Sequence, residues 1–374
     1  MPTPEALNSE TLKEAGRLMT ICNACRYCES FCAVFPAMER RTVFAGGDLN
    51  FLANLCHGCQ GCHTACQYAP PHEFAVNVPR TFAALRAQSY AGNAWPDVLG
   101  RLFKWNGLAV SLAMALALAA VLLLTFGLQD PSIIFGTHAG EGAFYRVIPY
   151  AAMVWPFGLV FAFALFAMIM GGARYWRATT PEFHGKLSAR AVLAGVRDVL
   201  TLKNLGGGGG GCNYPGEHFS TARRIYHHFT FYGFLLCFAA TSAATLYHHM
   251  FGWVAPYEFT SLPVLLGTAG GIGLLIGPAG LLWLKVRADP APQLRELLGM
   301  DVAFLVLLFA VAFTGLALLA VRETPAMGLT LIVHLGFVLA LFATLPYGKM
   351  VHGVYRFLAL VQDAGERYSG SRTQ

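Results

Sequence analysis

Eight of the ten cysteines form two identical runs whose spacing suits iron–sulfur chemistry. The runs are Cys22-x2-Cys25-x2-Cys28-x3-Cys32 and Cys56-x2-Cys59-x2-Cys62-x3-Cys66, at a constant offset of 34 residues. Three thiolates in one loop can hold three irons of a cubane, and the fourth cysteine of such a run ligates the other cluster. The spacing therefore predicts one [4Fe–4S] cluster on Cys22, Cys25, Cys28 and Cys66. It predicts a second on Cys56, Cys59, Cys62 and Cys32.

Zinc fits this pattern less well than iron–sulfur clusters. A zinc site takes four ligands around one ion, which leaves the third closely spaced cysteine of each run unexplained. The runs depart from the bacterial ferredoxin pattern in one respect, because the proline stands four residues after the last cysteine, as Pro36 and Pro70. His57 and His63 lie between the predicted ligands and are interpreted as solvent-facing or potential-tuning.

Histidines in apolar surroundings indicate a second kind of redox site. Six of the twelve histidines lie in or near two apolar segments: His227, His228, His248, His249, His334 and His352. Polar side chains at membrane depth are costly and usually functional, and two imidazoles are a common axial pair for haem iron. We predict one or two b-type haems, one on His227 or His228 with His352 and a second on His248 or His249 with His334. This prediction takes His334 and His352, 18 residues apart, to share one face of a continuous helix, so that each lies at the depth of a histidine pair on the antiparallel helix. One member of each adjacent pair could instead be an interfacial anchor. No Cys-x-x-Cys-His motif for covalent haem attachment is present.

The distribution of charged residues along the chain indicates which segments carry these cysteines and histidines. Only 12% of the 374 residues are charged and 56% are hydrophobic, which excludes a soluble enzyme, a disordered chain and a nucleic-acid binder. Residues 1–104 carry 17 of the 46 charges and predict a small soluble domain. Six charge-free stretches follow, each reaching the roughly 20 residues that cross a membrane. The predicted spans are 107–128, 148–172, 228–249, 262–284, 302–321 and 326–347.

The distribution of Lys and Arg predicts the orientation of these spans. With the N-terminus inside, 24 of the 26 basic residues lie on the cytoplasmic side, and only Arg146 and Arg322 lie outside. No signal peptide is expected, because acidic and basic residues interrupt the first 25 positions. We therefore predict a multi-pass protein of the bacterial inner membrane with both termini cytoplasmic. The fold class is all-α: a two-cluster ferredoxin-like domain at 1–104, then a six-helix cytochrome b-like bundle at 105–374.

A glycine run marks the predicted cytoplasmic segment 174–224. Gly206 to Gly211 are consecutive and are followed by Cys212-Asn213-Tyr214-Pro215. Such a run predicts a loop, which serves either as a flexible linker or as a close backbone approach to a cofactor or partner. Cys212 is either a further ligand or a free thiol beside this loop. Cys237, among Leu and Phe, is interpreted as a packing residue.

These motifs together resemble the tricarballylate utilization protein B family, also named citrate utilization protein B. Its plan is similar to that of the cytochrome b subunits of heterodisulfide- and nitrate-reductase type. The resemblance covers essentially the whole chain. It rests on the two cysteine runs, on Leu205 to Pro215, on His227 through Gly233 to His248, and on Pro346 to His352.

The resemblance implies an electron-transfer partner of a soluble FAD-dependent tricarballylate dehydrogenase, which oxidises tricarballylate to cis-aconitate. The protein would reoxidise the reduced FAD and pass electrons to membrane quinone, with no substrate chemistry and no catalytic residue of its own. Two alternatives stay open: an electron-transfer subunit for another flavoprotein or a disulfide reductase, and a tricarboxylate transporter with sensory clusters. The absence of Lys and Arg from the span interiors disfavours the carrier.

Overall fold

The structure is a computed structural model that describes residues 10–369. The prediction that the N-terminus has no signal peptide concerns the first 25 positions, and the first nine of these lie outside the described residues. The described chain is all-α apart from one two-residue ribbon, as predicted. Its first five helices are α1 (Glu10–Cys25), α2 (Val34–Glu39), α3 (Gly46–Leu55), α4 (Gly61–Thr64) and α5 (Val78–Asn93). They form a compact unit, here called the head, whose core includes Leu18, Met19, Phe35, Leu52 and Phe82.

The middle of the chain contains the first two long helices and the segment that joins them to the third. A 3-10 helix at Asp97–Trp105 leads into α6 (Asn106–Leu128), and α7 (Pro131–Ile134) and α8 (Ala143–Val147) precede α9 (Tyr150–Thr179). Thr180–Glu182 is a 3-10 turn, α10 is Ala189–Leu200, and a further 3-10 segment covers Lys203–Gly209. Strand β1 (Cys212–Asn213) pairs antiparallel with β2 (Phe219–Ser220).

Four further helices complete the bundle. They are α11 (Ala222–Phe251), α12 (Leu262–Val286), α13 (Leu298–Val321) and α14 (Met327–Thr344), with 3-10 turns at Arg295–Leu297 and Leu345–Tyr347, and they are followed by α15 (Val351–Ser369). Six helices of the described chain are long and apolar enough to cross a membrane, at the positions predicted from the charge-free stretches. The protein is therefore a multi-pass membrane protein.

One premise of the haem prediction is wrong. That prediction takes His334 and His352 to lie on one continuous helix, but α14 ends at Thr344 and α15 begins at Val351. Pro346 lacks a backbone N–H, and Gly348 is extended with φ −128° and ψ −166°, so the helical hydrogen bonds cannot continue through this turn. The 18-residue spacing of the two histidines therefore does not place them on one helix face.

The helix that follows this break, α15, joins the bundle to the head. Ala359 and Leu360 belong to the hydrophobic core of the head. Arg41 makes a bidentate ion pair with Glu366 at 2.6 and 3.0 Å and a second pair with Asp48. Arg41 is 4% exposed and Glu366 is 2% exposed, so the pair is shielded from solvent. The ion pairs thus fix α15 against α3 inside a nonpolar core.

The glycine run is a close contact with the head. We call residues 203–211 the Gly loop. Gly207 and Gly208 have φ values of 50° and 74°, which favour glycine. A Cβ on Gly208 would lie 2.7 Å from Ser30 O and 3.2 Å from Phe31 O, so the loop backbone packs directly on the first cysteine run. The backbone N–H of Asn213 donates to Cys59 O at 2.9 Å. These contacts favour the close-approach interpretation over the flexible linker.

Loss of Glu366 should destabilise the join between head and bundle. Glu366→Ala leaves Arg41 buried with one carboxylate partner, and breaking a buried pair costs about 3–5 kcal/mol. Thermal denaturation of the full chain in detergent should show a large fall in the midpoint. Glu14→Ala is the control, because its pair with Arg17 is exposed and such pairs contribute roughly 0–1 kcal/mol. Equal midpoints for the two variants would contradict the buried network.

Bulk at Gly208 should separate the Gly loop from the head. We expect Gly208→Ala to lower stability by about 1–3 kcal/mol, since overpacking forces the backbone apart, and to lower the iron retained per chain. Gly209→Ala is a matched control because Gly209 also has a positive φ, of 118°, but a Cβ there would meet no atom within 4 Å. Iron analysis and thermal denaturation of both variants measure the difference. The same iron loss in both would assign the effect to backbone strain alone.

Candidate functional site

The predicted first set of cysteines surrounds one cavity. Cys22 and Cys25 lie on the last turn of α1, Cys28 follows in a turn, and Cys66 comes from the segment after α4. All four line a space of about 270 Å³, together with Cys62 and apolar side chains that include Phe35 and Val76. The structure thus brings together the four thiols that the spacing assigned to one cluster.

The environment of these thiols favours the protonated state when no metal is bound. Burial, reinforced by neighbouring thiolates, raises the pKa of Cys22 and of Cys28 to about 12. Cluster ligands must be deprotonated, so iron has to displace these protons. Within residues 10–369, no three His, Cys, Asp or Glu side chains converge on a single ion position. The four thiols of the first set instead surround the cavity of about 270 Å³.

The second set lies deeper, between the head and the bundle. Burial raises the pKa of Cys32 and of Cys62 well above the ordinary value. At Cys32 the neighbours that add to this effect are Cys59 and Cys56, and at Cys62 they are Cys32, Cys59, Cys56 and also Cys28 of the first set. Cys56 and Cys59 are 8% and 7% exposed, and the backbone N–H of Gly58 donates to Cys56 Sγ at 3.4 Å. Cys32, Cys56, Cys59 and Cys62 are therefore also neighbours, as the crossed pairing requires.

The two sets differ in their access to solvent. Around the first set, Tyr27 is 65% exposed, and Arg26, Glu29 and Gln67 are also at the surface. The second set is covered by β1, whose Cys212 is fully buried beside Cys59 and donates its S–H to Leu205 O at 3.3 Å. Cys212 is thus held by the Gly loop. Cys237 packs at the contact of α11 with α12, against Gly270.

A larger cavity lies between the loop that follows Cys56 and the membrane bundle. Its volume is about 360 Å³, and His57 and Gly58 line it together with His227 of α11 and His352 of α15. The His57 ring bonds Leu55 O through Nδ1 at 2.8 Å, and burial lowers the pKa of His57 well below its ordinary value. His57 therefore lies in this cavity and is not solvent-facing. His63 is partly buried within the head.

His227 and His352 face each other in a geometry that suits one iron. Their ring centroids are 6.2 Å apart with an interplanar angle of 73°. Metal–imidazole bonds are about 2 Å long, so two rings on opposite sides of one metal have centroids about 6 Å apart. His352 Nδ1 lies 2.5 Å from Lys349 O, so an N–H at Nδ1 would donate there and Nε2 would be free to bind a metal. Among residues 10–369, the buried His227 Nδ1 has no hydrogen-bond partner. These residues fit a bis-imidazole haem.

The other predicted histidines have different neighbours. His228 stacks on Tyr232, so His227 is the member of that pair in the cavity. His248 stacks on Tyr150 at 4.3 Å, and His249 Nε2 is 2.9 Å from the same tyrosine's hydroxyl. His334 Nδ1 is 3.1 Å from Thr314 Oγ1. Between residues 10 and 369, no ring contact or hydrogen bond joins His334 to His248 or His249. The second haem stays a prediction.

Sequence reasoning missed three arginines at the second cysteine set. Arg356 Nη2 donates to Cys56 O at 2.9 Å, and Arg86 Nη1 donates to the same oxygen at 3.3 Å. Arg223 Nη1 donates to Gly58 O at 2.6 Å. A signal was available, because Arg223 precedes His227 by four residues and Arg356 follows His352 by four, which places each pair on one helix face.

Comparison with known proteins agrees with this architecture. Residues 103–372 match the family described as Citrate utilization protein B, and residues 15–92 match its Fer4-like domain. A curated relative from Escherichia coli, named Citrate utilization protein B, is 48% identical over 365 residues, which cover 97% of this chain and 95% of that protein. No solved structure matches the chain. A Fer4-like domain joined to six membrane helices indicates an iron–sulfur electron-transfer membrane protein. The chain belongs to the citrate utilization protein B family.

Proposed function

We propose that this protein reoxidises the reduced FAD of a soluble tricarballylate dehydrogenase and delivers the electrons to membrane quinone. Two [4Fe–4S] clusters and a b-type haem would supply one-electron transfer. The observation that supports this proposal is the single cavity lined both by His57 and Gly58 of the second cysteine set and by His227 and His352. In this cavity, His57 and Gly58, which stand between the predicted cluster ligands Cys56 and Cys59 in the sequence, lie next to the two histidines that could hold a haem.

The different solvent exposure of the two cysteine sets supports an order in which electrons would pass through them. The surface around Cys22, Cys25 and Cys28 carries exposed side chains such as Tyr27, so a soluble donor can approach the first set. In the second set, Cys56 and Cys59 are buried, β1 covers Cys59, and the loop that carries them contacts the bundle through Arg223 and Arg356. The first set would therefore receive electrons and the second would pass them towards the membrane.

The decisive experiment measures which donor reduces the full-length protein in lipid nanodiscs. Reduced tricarballylate dehydrogenase should reduce the haem, followed at its α-band, and added quinone should reoxidise it. Failure with this donor, together with rapid reduction by a different flavoprotein or by a dithiol through a disulfide reductase, would favour the alternative partner. Uptake of labelled tricarballylate into vesicles that lack the dehydrogenase would instead support a carrier.

Removal of a crossed cysteine tests the ligand assignment. Cys66→Ser should abolish the cluster on Cys22, Cys25 and Cys28, while Cys32→Ser should abolish the other, because each lends its thiolate to the opposite set. Each variant should fall from about eight irons to about four. Electron paramagnetic resonance of the reduced protein should show that the two variants lose different signals. Cys237→Ser, at a helix contact, should keep both. Loss of the same signal in both crossed variants would refute the crossing.

Substitution of the facing histidines tests the haem. His227→Ala and His352→Ala should each remove the low-spin bis-imidazole spectrum and the reduced α-band, because one axial ligand cannot maintain that state. His228→Ala is the matched control, since it alters the adjacent residue that stacks on Tyr232 outside the cavity. Optical and electron paramagnetic resonance spectra of purified protein give the readout. An unchanged spectrum in His352→Ala would contradict the assignment.

A further inference from the structure

Three arginines at the large cavity have no carboxylate partner among the described residues. Arg86, Arg223 and Arg356 all line it, and in the described chain, 10–369, none has a carboxylate within ion-pair distance. Their bonds at this site go to backbone carbonyls of Ala53, Cys56 and Gly58. Arg356 Nε is buried and has no hydrogen-bond partner within residues 10–369. Thiolates of Cys56 and Cys59 would offset part of the charge of Arg356 and Arg223. Because uncompensated buried charge is costly, three cations on one cavity wall favour a further anionic ligand in that cavity.

Two of these arginines each lie one helical turn from one of the facing histidines. Arg223 lies one helical turn before His227 on α11, and Arg356 lies one turn after His352 on α15. Both arginines reach the loop at Cys56 to Gly58, so both lie on the head side of their histidine. A ligand held between the two imidazoles would therefore meet both guanidinium groups at the same edge.

The rest of the cavity wall is polar at one end and apolar at the other. Lys285 and Lys349 are both 2.6 Å from the carboxylate of Asp301, so this trio keeps a net positive charge. Leu281, Phe304 and Leu308 line the part of the cavity within α12 and α13. The wall thus suits a large, mostly apolar molecule with carboxylates at one edge. A free tricarboxylate would leave the apolar part unfilled.

The geometry points to Arg223 and Arg356 as the residues that bind the two propionate groups of the haem, while they continue to hold the second cysteine loop. This inference rests on the proposed haem between His227 and His352. Charge-assisted hydrogen bonds of this kind are strong, and guanidinium groups bind carboxylates through paired N–H donors. The same two side chains would then position the haem edge and the adjacent cysteine loop relative to each other.

The test compares two probes on full-length protein prepared from haem-deficient cells: hemin and hemin dimethyl ester, whose propionates are neutral. Binding at this site is the absorbance change that is lost in His352→Ala. We expect hemin to bind at least about tenfold more tightly than the ester, equal to about 1.4 kcal/mol. In Arg356→Gln and Arg223→Gln the difference in affinity between hemin and its ester should shrink, because each variant lacks one of the two guanidinium groups that would bind a propionate. Arg287→Gln is the control, since Arg287 stacks on Trp283 and does not line the cavity, and it should retain the full difference.

Each contrary outcome has a separate meaning. Equal affinity for hemin and its ester in the unmodified protein would overturn the propionate assignment and leave the haem proposal intact. No binding of either probe would overturn the haem and this inference together. Displacement of hemin by tricarballylate would show that the cations bind a free tricarboxylate, and effects of Arg356→Gln confined to the cluster spectra would show that they serve the cluster alone; either result would refute the inference. The comparison of probes on the unmodified protein needs no variant to fold.

Discussion

Donation from arginine side chains to the backbone carbonyls of Cys56 and Gly58 is the interaction on which the arrangement of the two parts depends. Arg86, Arg223 and Arg356 come from α5, α11 and α15, so the head, the bundle and the last helix meet at one short loop. Such bonds are directional and, away from water, strong. They allow a cysteine-bearing loop and a membrane cavity to share a wall, which two separately folded units in loose contact could not do.

Much of this could be predicted from residue spacing. The 34-residue repeat carries the grouping of the eight cysteines, and the charge-free stretches locate the six spans, because both depend on local chemistry. His352 does lie beside His227, as predicted, although the continuous helix on which that prediction was based is interrupted at Pro346 and Gly348. The arginine contacts join positions as far apart as 56 and 356, so the four-residue spacing of each arginine from its histidine indicates a shared helix face but not the carbonyl that the arginine reaches. The packing of the Gly loop on Ser30 and Phe31 is equally non-local.

Because the head and the bundle belong to one chain, the second cysteine set is held at a fixed position relative to the bundle and does not depend on an encounter between two separate proteins. In separate electron-transfer proteins, weak and transient interfaces permit turnover at the expense of a defined distance. Here the Gly loop, β1 and the buried pairs of Arg41 hold the second cysteine set in one position. The first set keeps an open surface, and under the proposed function a soluble donor would associate there.

The contribution of α15 to the head core has a consequence for biogenesis. Ala359 and Leu360 fill that core, and Glu366 neutralises Arg41, yet all three are synthesised after the sixth span. Domains normally fold in the order in which they leave the ribosome. This head cannot complete its core in that way, because its last hydrophobic residues emerge only when every membrane helix has been made. Completion of the N-terminal head therefore waits until all six membrane helices have been synthesised.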